Sequence, residues 1–346
     1  MLSWKLIAED LFRKYGKNWS KIADEMMYLF PGLKHFEVKE KIRTHIRRTA
    51  LFKMAATQDD EYDIDISGID RKQFKPPIVK AVDRKMMAEV NIADLHLGKL
   101  CWHGDTPENY DYKIARDTFY YIIADVIENL KGKPIEYITF VWTNDFFNSD
   151  NEQKTTTAGT PQDTDIRSKK LFNVGVEMLV RGVEMLARVA PIKMFYTPSN
   201  HDESSSYHAL KYLEAWFRND PNVTINTDAY PRKYQLYGNT LLGYCHGAKE
   251  GTSKSKEKAS RLASLMPLEA REMWGQAKFC EMHTAHLHSE HVYEEINGVI
   301  VRRVSSPTAT DVWHAENAYI GSVRKAQTFV YDKERGHILT INTPVT

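Results

Sequence analysis

The sequence predicts an α/β body preceded by a small all-α segment, and three observations carry that prediction. From Met86 onward, apolar runs of strand length alternate with helical patterns. Residues 1–50 show three short amphipathic periodicities and no strand pattern. Residues 51–85 between them show neither period. The 346 residues allow about two domains at roughly 150 residues each. Hydrophobic residues make up 42% and charged residues 27%, enough apolar material for a sizeable core, which excludes a disordered or fibrous chain. No apolar run approaches the roughly 18 to 20 residues that span a bilayer, and MLSWKLIAED lacks a signal-peptide core. Cys101, Cys245 and Cys280 are an odd number without a pairing motif. No membrane association and a reducing cytoplasm are therefore expected.

Residues 3–15 place Trp4, Ile7, Ala8, Leu11, Phe12 and Tyr15 on one helical face, and Gly16 suits a C-terminal stop. Asn18 is placed to cap a second helix carrying Trp19, Ile22, Ala23 and Met26, which Pro31-Gly32 breaks. A third helix is expected from about Phe36 to Ala50, with Val38, Ile42 and Ile46 inward and Lys39, Lys41, Arg43, Arg47 and Arg48 on its other faces. Residues 1–50 carry a net charge of +5 and the rest of the chain −4, an asymmetry hidden by the overall +1. Three short helices ending in a basic one suit a helix-turn-helix DNA-binding domain at 1–50, with Lys39, Arg43, Arg47 and Arg48 as the contacts. The stretch YGKNWSKIA (Tyr15–Ala23) resembles Myb/SANT-like helix-turn-helix families. The alternative is a three-helix protein-interaction module with a solvated basic face. Residues 51–85, with the acidic run DDEYDID and the double proline of KPPIVK, suit a linker.

In the body at 86–346, strands are expected at Met86–Ile92, Ile135–Trp142, Ile192–Thr197, Thr240–Cys245, Lys278–Thr284 and Gly298–Val304. Helices are expected at Tyr112–Leu130, Ser168–Val189 and Tyr207–Phe217. Five polar clusters follow the strands: Asp94-Leu95-His96, Asn144-Asp145, Asn200-His201-Asp202, His246-Gly247 and His286-Leu287-His288. In layered α/β folds ligands gather where strand-end loops converge. Seven of the 13 histidines fall between His201 and His291, and His with Asp at strand ends marks a metal site. Carboxylate and imidazole donors without thiolate suit Mn, Fe, Zn or Ni. A carboxylate such as Asp145 can bridge two cations about 3.5–4 Å apart. Two divalent cations against Asp94 and Asp145 leave a positive site that attracts phosphate. Each cluster alone has a bland reading as a polar strand terminus or turn; five in order do not.

The ordered series DLH, ND, NHD, HG and HLH resembles the calcineurin-like metallophosphoesterases, whose pattern is D-x-H, G-D, G-N-H-[DE], H, G-H-x-H. The resemblance covers residues 86 to about 290. It implies a four-layer sandwich, two central sheets flanked by helices, holding two divalent metal ions. Carried over, one metal is bound by Asp94, His96, Asp145 and His288, and the second by Asp145, Asn200, His246 and His286. His201 matches the catalytic histidine, and Asp202 the position that helps orient it. The chemistry implied is hydrolysis of a phosphate ester by water activated between the cations, with His201 protonating the leaving alcohol. Asn144, Ser199 and Ala285 stand where the family has Gly. Asn148 stands where related phosphatases carry the Asp that steadies the histidine, and Asp150 is a candidate substitute.

TNDFFNSDNEQ (Thr143–Gln153) lacks the Arg usual in protein phosphatases of the family. DLHLG and NDFF look more like its double-strand-break-repair nucleases, and SSPTATDVWHAENAYIGS (Ser305–Ser322) resembles phosphoesterases encoded by phages and prophages. The function expected is a two-metal phosphodiesterase, a DNA nuclease of exo- or endonucleolytic type, in the cytoplasm of a bacterium or phage-infected host. Mn is the favoured metal. The resemblance also implies a possible homodimer and an ATPase partner. The alternatives are a small-molecule phosphodiesterase or phosphatase, for instance on cyclic nucleotides, and a DNA-binding scaffold with a silent metal site. HGAKEGTSKSKEKASR (His246–Arg261) holds five basic and two acidic residues, a loop that either tracks a phosphate backbone or is simply solvated. Trp102 and Trp313 are expected to pack in the core; a stacked or contacted base is the alternative for them and for His103 and His314.

Overall fold

A computed structural model describes residues 4–46, 84–142, 145–250, 255–294 and 297–345. Two compact units divide the chain, Met1–Lys80 and Ala81–Thr346. Arg47, Arg48, Asn144 and nearly all of the expected linker lie outside the described residues.

The first unit contains helices α1 (Trp4–Tyr15), α2 (Trp19–Met26) and α3 (His35–Ile46), with a 3₁₀ turn at Met27–Leu29. Local chemistry sets each boundary. Gly16, at φ +56°, ends α1 and donates its N–H to Phe12 O at 2.8 Å. Asn18 Oδ1 accepts from Lys21 N at 3.3 Å and opens α2. Glu37 reaches back to accept from Lys34 N at 2.7 Å and opens α3. Ala8, Phe12, Ile22, Ala23, Met26, Val38, Ile42 and Ile46 form the core.

The second unit holds two sheets. The six-stranded sheet comprises β1 (Met86–Asn91), β2 (Ile135–Val141), β3 (Ile192–Phe195), β4 (Val223–Asn226), β10 (Lys325–Asp332) and β11 (Gly336–Pro344). Its order is β11-β10-β1-β2-β3-β4; β1 to β4 are parallel, and β10 is antiparallel to both neighbours. The five-stranded sheet comprises β5 (Lys233–Tyr237), β6 (Thr240–Tyr244), β7 (Phe279–Thr284), β8 (His291–Glu294) and β9 (Val299–Arg303). Its order is β5-β6-β7-β9-β8, with β6, β7 and β9 parallel. The helices are α4 (Tyr112–Leu130), α5 (Ser168–Leu186), α6 (Glu203–Phe217), α7 (Ser255–Glu269), α8 (Arg271–Trp274) and α9 (Val312–Glu316).

Strand alternation builds the layers. Ala88 and Val90 pack with Phe119, Leu179, Val183 and Leu210 of α4, α5 and α6. Met87, on the opposite face of β1, joins Leu242, Tyr244, Phe329 and Tyr331 in the core shared by the two sheets. On the far side, Leu241, Met282 and Val301 pack against Ala259, Leu262 and Met266 of α7. The body is therefore a mixed α/β assembly of two sheets with helices outside both. Every parallel connection delivers its strand's C-terminal end toward one loop cluster, as the polar clusters require.

Three expectations change. β4, β5, β8, β10 and β11 are additional strands; α6 begins at Glu203 and α5 ends at Leu186. The basic stretch after His246 is not all loop: α7 starts at Ser255, and Lys258 donates to Gly247 O. Its apolar stripe at Ala259, Leu262, Ala263 and Met266 folds the segment against the sheet.

Candidate metal centre

Asp94 and His96 follow β1, Asp145 follows β2, Asn200 and His201 follow β3, His246 follows β6, and His286 and His288 follow β7. Their donor atoms form three overlapping groups, each within 4.8 Å: Asp94, His96 and His288; His96, Asp145 and His201; Asp145, His246 and His286. Asp145 and His96 are each shared between two groups. Asn200 Oδ1 lies 2.7 Å from His246 Nε2. Together these positions contain every residue of the two ligand sets implied by the sequence.

The backbone is bent to make this possible. Asp94 (φ +50°), His96 (+49°), Asp145 (+51°), His286 (+75°) and His288 (+51°) all sit in the left-handed region. Among the described non-glycine residues only Lys154 and Ala318 share that conformation. Each such residue costs about 1–2 kcal/mol, so strain concentrates on the candidate ligands. Hydrogen bonds hold the bent loops together. His96 N–H donates to Asp145 O at 2.9 Å, Leu97 N–H to Phe146 O at 2.7 Å, and Asn148 N–H to Leu97 O at 3.0 Å. Ser306 Oγ, beyond β9, donates to Asp94 O at 2.8 Å.

The electrostatics are those of a site short of positive charge. Asp94 is fully buried, and its carboxylate accepts from His286 N–H at 3.0 Å. Burial pushes its carboxyl up to about 7, with Asp145 adding to the rise. His96 and His288 are driven well below the ordinary imidazole range by burial and by Lys99. Burial and His246 bring His286 down to about 3. Burial also opposes a charge on His246, but Asp145, 3.2 Å away, outweighs it and raises His246 to about 9. His96 Nε2 and His288 Nε2 face one another at 3.0 Å. Two imidazole nitrogens bound to one cation at about 2.0–2.1 Å and at right angles are roughly 3 Å apart. Neutral imidazoles at His96, His286 and His288, two buried carboxylates at Asp94 and Asp145, and this spacing fit a pair of divalent cations.

His201 and Asp202 take different places. His201 N–H donates to Asp145 Oδ1 at 2.9 Å, and the His201 ring meets His96 edge-on at 4.6 Å. Its Nδ1 lies 3.0 Å from Asn148 O; a carbonyl only accepts, so Nδ1 is the donor and Nε2 is left for the site. The orienting group is thus the Asn148 backbone. Asp150 is otherwise occupied: it accepts from Ser205 N at 2.7 Å and Ser204 N at 3.2 Å, closing the N-terminus of α6. Asp202 bonds the chain rather than the imidazole. Its carboxylate accepts from Phe147 N at 2.7 Å, Ser206 Oγ at 2.6 Å and the Ser199 hydroxyl. Ser199, standing in place of a glycine, thereby braces Asp202. Burial, then Asp145, pushes Asp202 up to about 7.

A cavity of about 390 Å³ opens over His96, Asp145, His201, His286 and His288. Its outer wall includes Lys99, Asp311, Trp313 and His314. Trp313 is 60% exposed and Trp102 66% exposed, so neither is the core residue expected. Trp102 and His103 do not line this cavity. Lys99 is the residue sequence reasoning missed: it is buried, 3.2 Å from Asp311, and no motif announces it. A larger cavity of about 510 Å³ lies between β3 and β5, but Arg232 is already paired with Glu269 at 2.5 Å and Lys233 donates to Tyr230 O.

In the first unit the expected contact residues are engaged locally. Lys39 Nζ donates to Ser20 Oγ at 3.1 Å, and Arg43 pairs with Glu40 at 3.1 Å. Lys39 and Arg43 stand one turn apart on α3, and Arg47 and Arg48 lie outside the described residues.

No family model and no curated protein matches the chain. Solved structures with distant similarity include Vps29 from Entamoeba histolytica in complex with Zn²⁺, at 10% identity and TM-score 0.32, over 75% of this chain and 99% of that one. Vps29 from Chaetomium thermophilum shares 12% identity at TM-score 0.33, over 75% and 95%. A dimetal phosphatase from Danio rerio shares 7% identity at TM-score 0.39, over 75% and 99%.

Proposed function

We propose that the chain is a two-metal phosphodiesterase of the calcineurin-like type, acting as a nuclease on DNA, with Mn²⁺ as its working metal. The observation that carries this is the overlap of the donor groups on Asp145 and His96 at the floor of an open cavity. Asp94, His96, Asp145 and His288 would hold one cation, and Asp145, Asn200, His246 and His286 the other. When bound, the pair supplies an acidified water and draws charge from the phosphoryl oxygens.

The protein's own part is positional. Asn148 O holds His201 by Nδ1, which presents Nε2 to the leaving oxygen of the ester; His201 donates the proton that the departing alkoxide needs. Asp202 clamps the Phe147 backbone and so keeps the Asp145 loop in register with β3. The charge of +5 on residues 1–50 supports a DNA-binding head that raises the local concentration of substrate through its tether.

The test is cleavage of end-labelled single- and double-stranded DNA in Mn²⁺. The expected result is metal-dependent cleavage, lowered about a hundred- to ten-thousand-fold by His201→Ala. Asp145→Asn should lose both cleavage and bound metal. Folded, metal-loaded protein that leaves DNA intact but hydrolyses a small phosphodiester would move the assignment to a small-molecule enzyme.

A further inference from the structure

We propose that Trp313, with Tyr319 behind it and His314 beneath it, is a stacking platform for the nucleobase beside the phosphate being hydrolysed. The inference deepens the nuclease reading and rests on it.

Three features build the platform. His314 stacks on the candidate ligand His288, with ring centroids 5.1 Å apart and planes at 21°. Trp313 stands edge-on to His314 at 5.1 Å, and Tyr319 stacks on Trp313 at 5.8 Å and 21°. Two ring contacts therefore connect a metal ligand to an indole at the cavity mouth, which is the reach from a phosphate to an adjacent base.

The platform is anchored from below. Asp311 Oδ1 accepts from His314 N at 2.9 Å and from His314 Nδ1 at 2.7 Å, fixing both the helix start and the ring. Asp311 Oδ2 meets Lys99 Nζ at 3.2 Å, and Lys99 also donates to Ala309 O at 3.2 Å. Ala318, at φ +61°, ends α9 in the left-handed conformation and turns Tyr319 back over Trp313. Tyr319 N–H donates to His314 O at 2.8 Å across that turn. An alanine is strained there, and what the strain achieves is the stacked pair.

The exposure of these rings is what calls for an occupant. Trp313 and Tyr319 are 60% and 62% exposed, although each has a ring neighbour that core burial would have covered. The cavity that holds the metal donors also touches Trp313 and His314. A π-face beside a phosphate site suits a base of any sequence.

The test compares the full-length protein with Trp313→Ala and Trp313→Phe on a single-stranded oligonucleotide and on its abasic counterpart, in Mn²⁺. Expected is a rise of about tenfold in KM for Trp313→Ala on the base-containing strand, with kcat within about twofold and the abasic strand unaffected. Trp313→Phe should restore most of the loss. Quenching of a 2-aminopurine oligonucleotide in EDTA, seen with the wild type and lost in Trp313→Ala, gives the same answer without turnover. Equal losses on both strands, or no change in KM, would overturn the platform. If the wild type cleaves neither strand, the nuclease reading fails, and absent 2-aminopurine quenching then rejects the platform as well.

Discussion

Two clusters of buried carboxylate and imidazole lie in the same body, and they solve the same charge problem in opposite ways. Between the sheets, Glu89 of β1 and Glu281 of β7 flank His283 of β7. His283 Nδ1 is 2.7 Å from Glu89 and its Nε2 is 3.2 Å from Glu281. Burial works against a charge on this imidazole, but the two carboxylates outweigh it and raise it to about 9. Tyr244 and Tyr331 hydroxyls donate to the same carboxylates at 3.2 and 3.3 Å. At the strand ends, His96 and His288 instead face each other and stay neutral, on backbone in the left-handed region. The inner cluster makes its own cation within regular strands. The outer one does so only at His246, which Asp145 raises; His96, His286 and His288 stay without protons, open to a cavity, and call for a cation from outside.

The sharpest way to break that contrast is chelation. Exhaustive treatment with EDTA should lower phosphodiester hydrolysis by at least about a thousandfold, the equivalent of about 4 kcal/mol of lost transition-state stabilisation. Activity should return on adding Mn²⁺. At a hundred times its dissociation constant the metal should also stabilise the fold by about 2.7 kcal/mol, read as a rise in Tm. Activity that survives chelation, with no metal found by elemental analysis, would remove the distinction between the clusters.

The two clusters also differed in how far the sequence disclosed them. Asp94, Asp145, Asn200, His246 and His286 were legible because each ends or follows a run of strand formers, and side chains at strand ends converge whatever the details of packing. The inner cluster was not. His283 sits inside an expected strand, and its partner Glu89 is 194 positions away, so only the stacking of β1 against β7 brings them together. β10 was missed for a related reason: Gln327 and Thr328 interrupt its apolar run, yet both are buried. Helix α7 was hidden by basic residues on its exposed side and by Pro267. The departures Ser199 and Asn148 were visible as substitutions, but their uses depended on tertiary contacts: Ser199 gives its hydroxyl to Asp202, and Asn148 gives its carbonyl to His201.

Removing one member of the inner cluster tests its structural role. Glu89→Gln leaves a buried imidazolium with one carboxylate fewer, a change of about 3–5 kcal/mol in broken buried pairs. Denaturant titration should show that loss, while metal content measured on the folded protein stays at two ions. A loss of metal equal to that of Asp145→Asn would show the two clusters to be one coupled unit.

The smallest effect separates the clusters by pH. His283 is raised from an unfolded value near 6.5 to about 9, so the folded state binds its proton more tightly. The stabilisation is fully present below about pH 6.5 and is lost as pH rises through about 9. Between pH 7 and 8.5 the loss is about 2 kcal/mol, from 1.36 kcal/mol per pH unit. For a body of this size that lowers Tm by several degrees. His283→Gln keeps hydrogen bonding but cannot titrate, so its Tm should start lower and fall by several degrees less over the same interval; the fall that is left in metal-free protein belongs to His246, which Asp145 also raises to about 9. The difference in decline between wild type and His283→Gln should be the same with and without Mn²⁺, because His283 is three residues short of His286, the first donor after its strand, and its ring nitrogens bond Glu89 and Glu281 instead. A wild-type excess over His283→Gln that disappears when metal is added would place the whole titration at the strand ends instead.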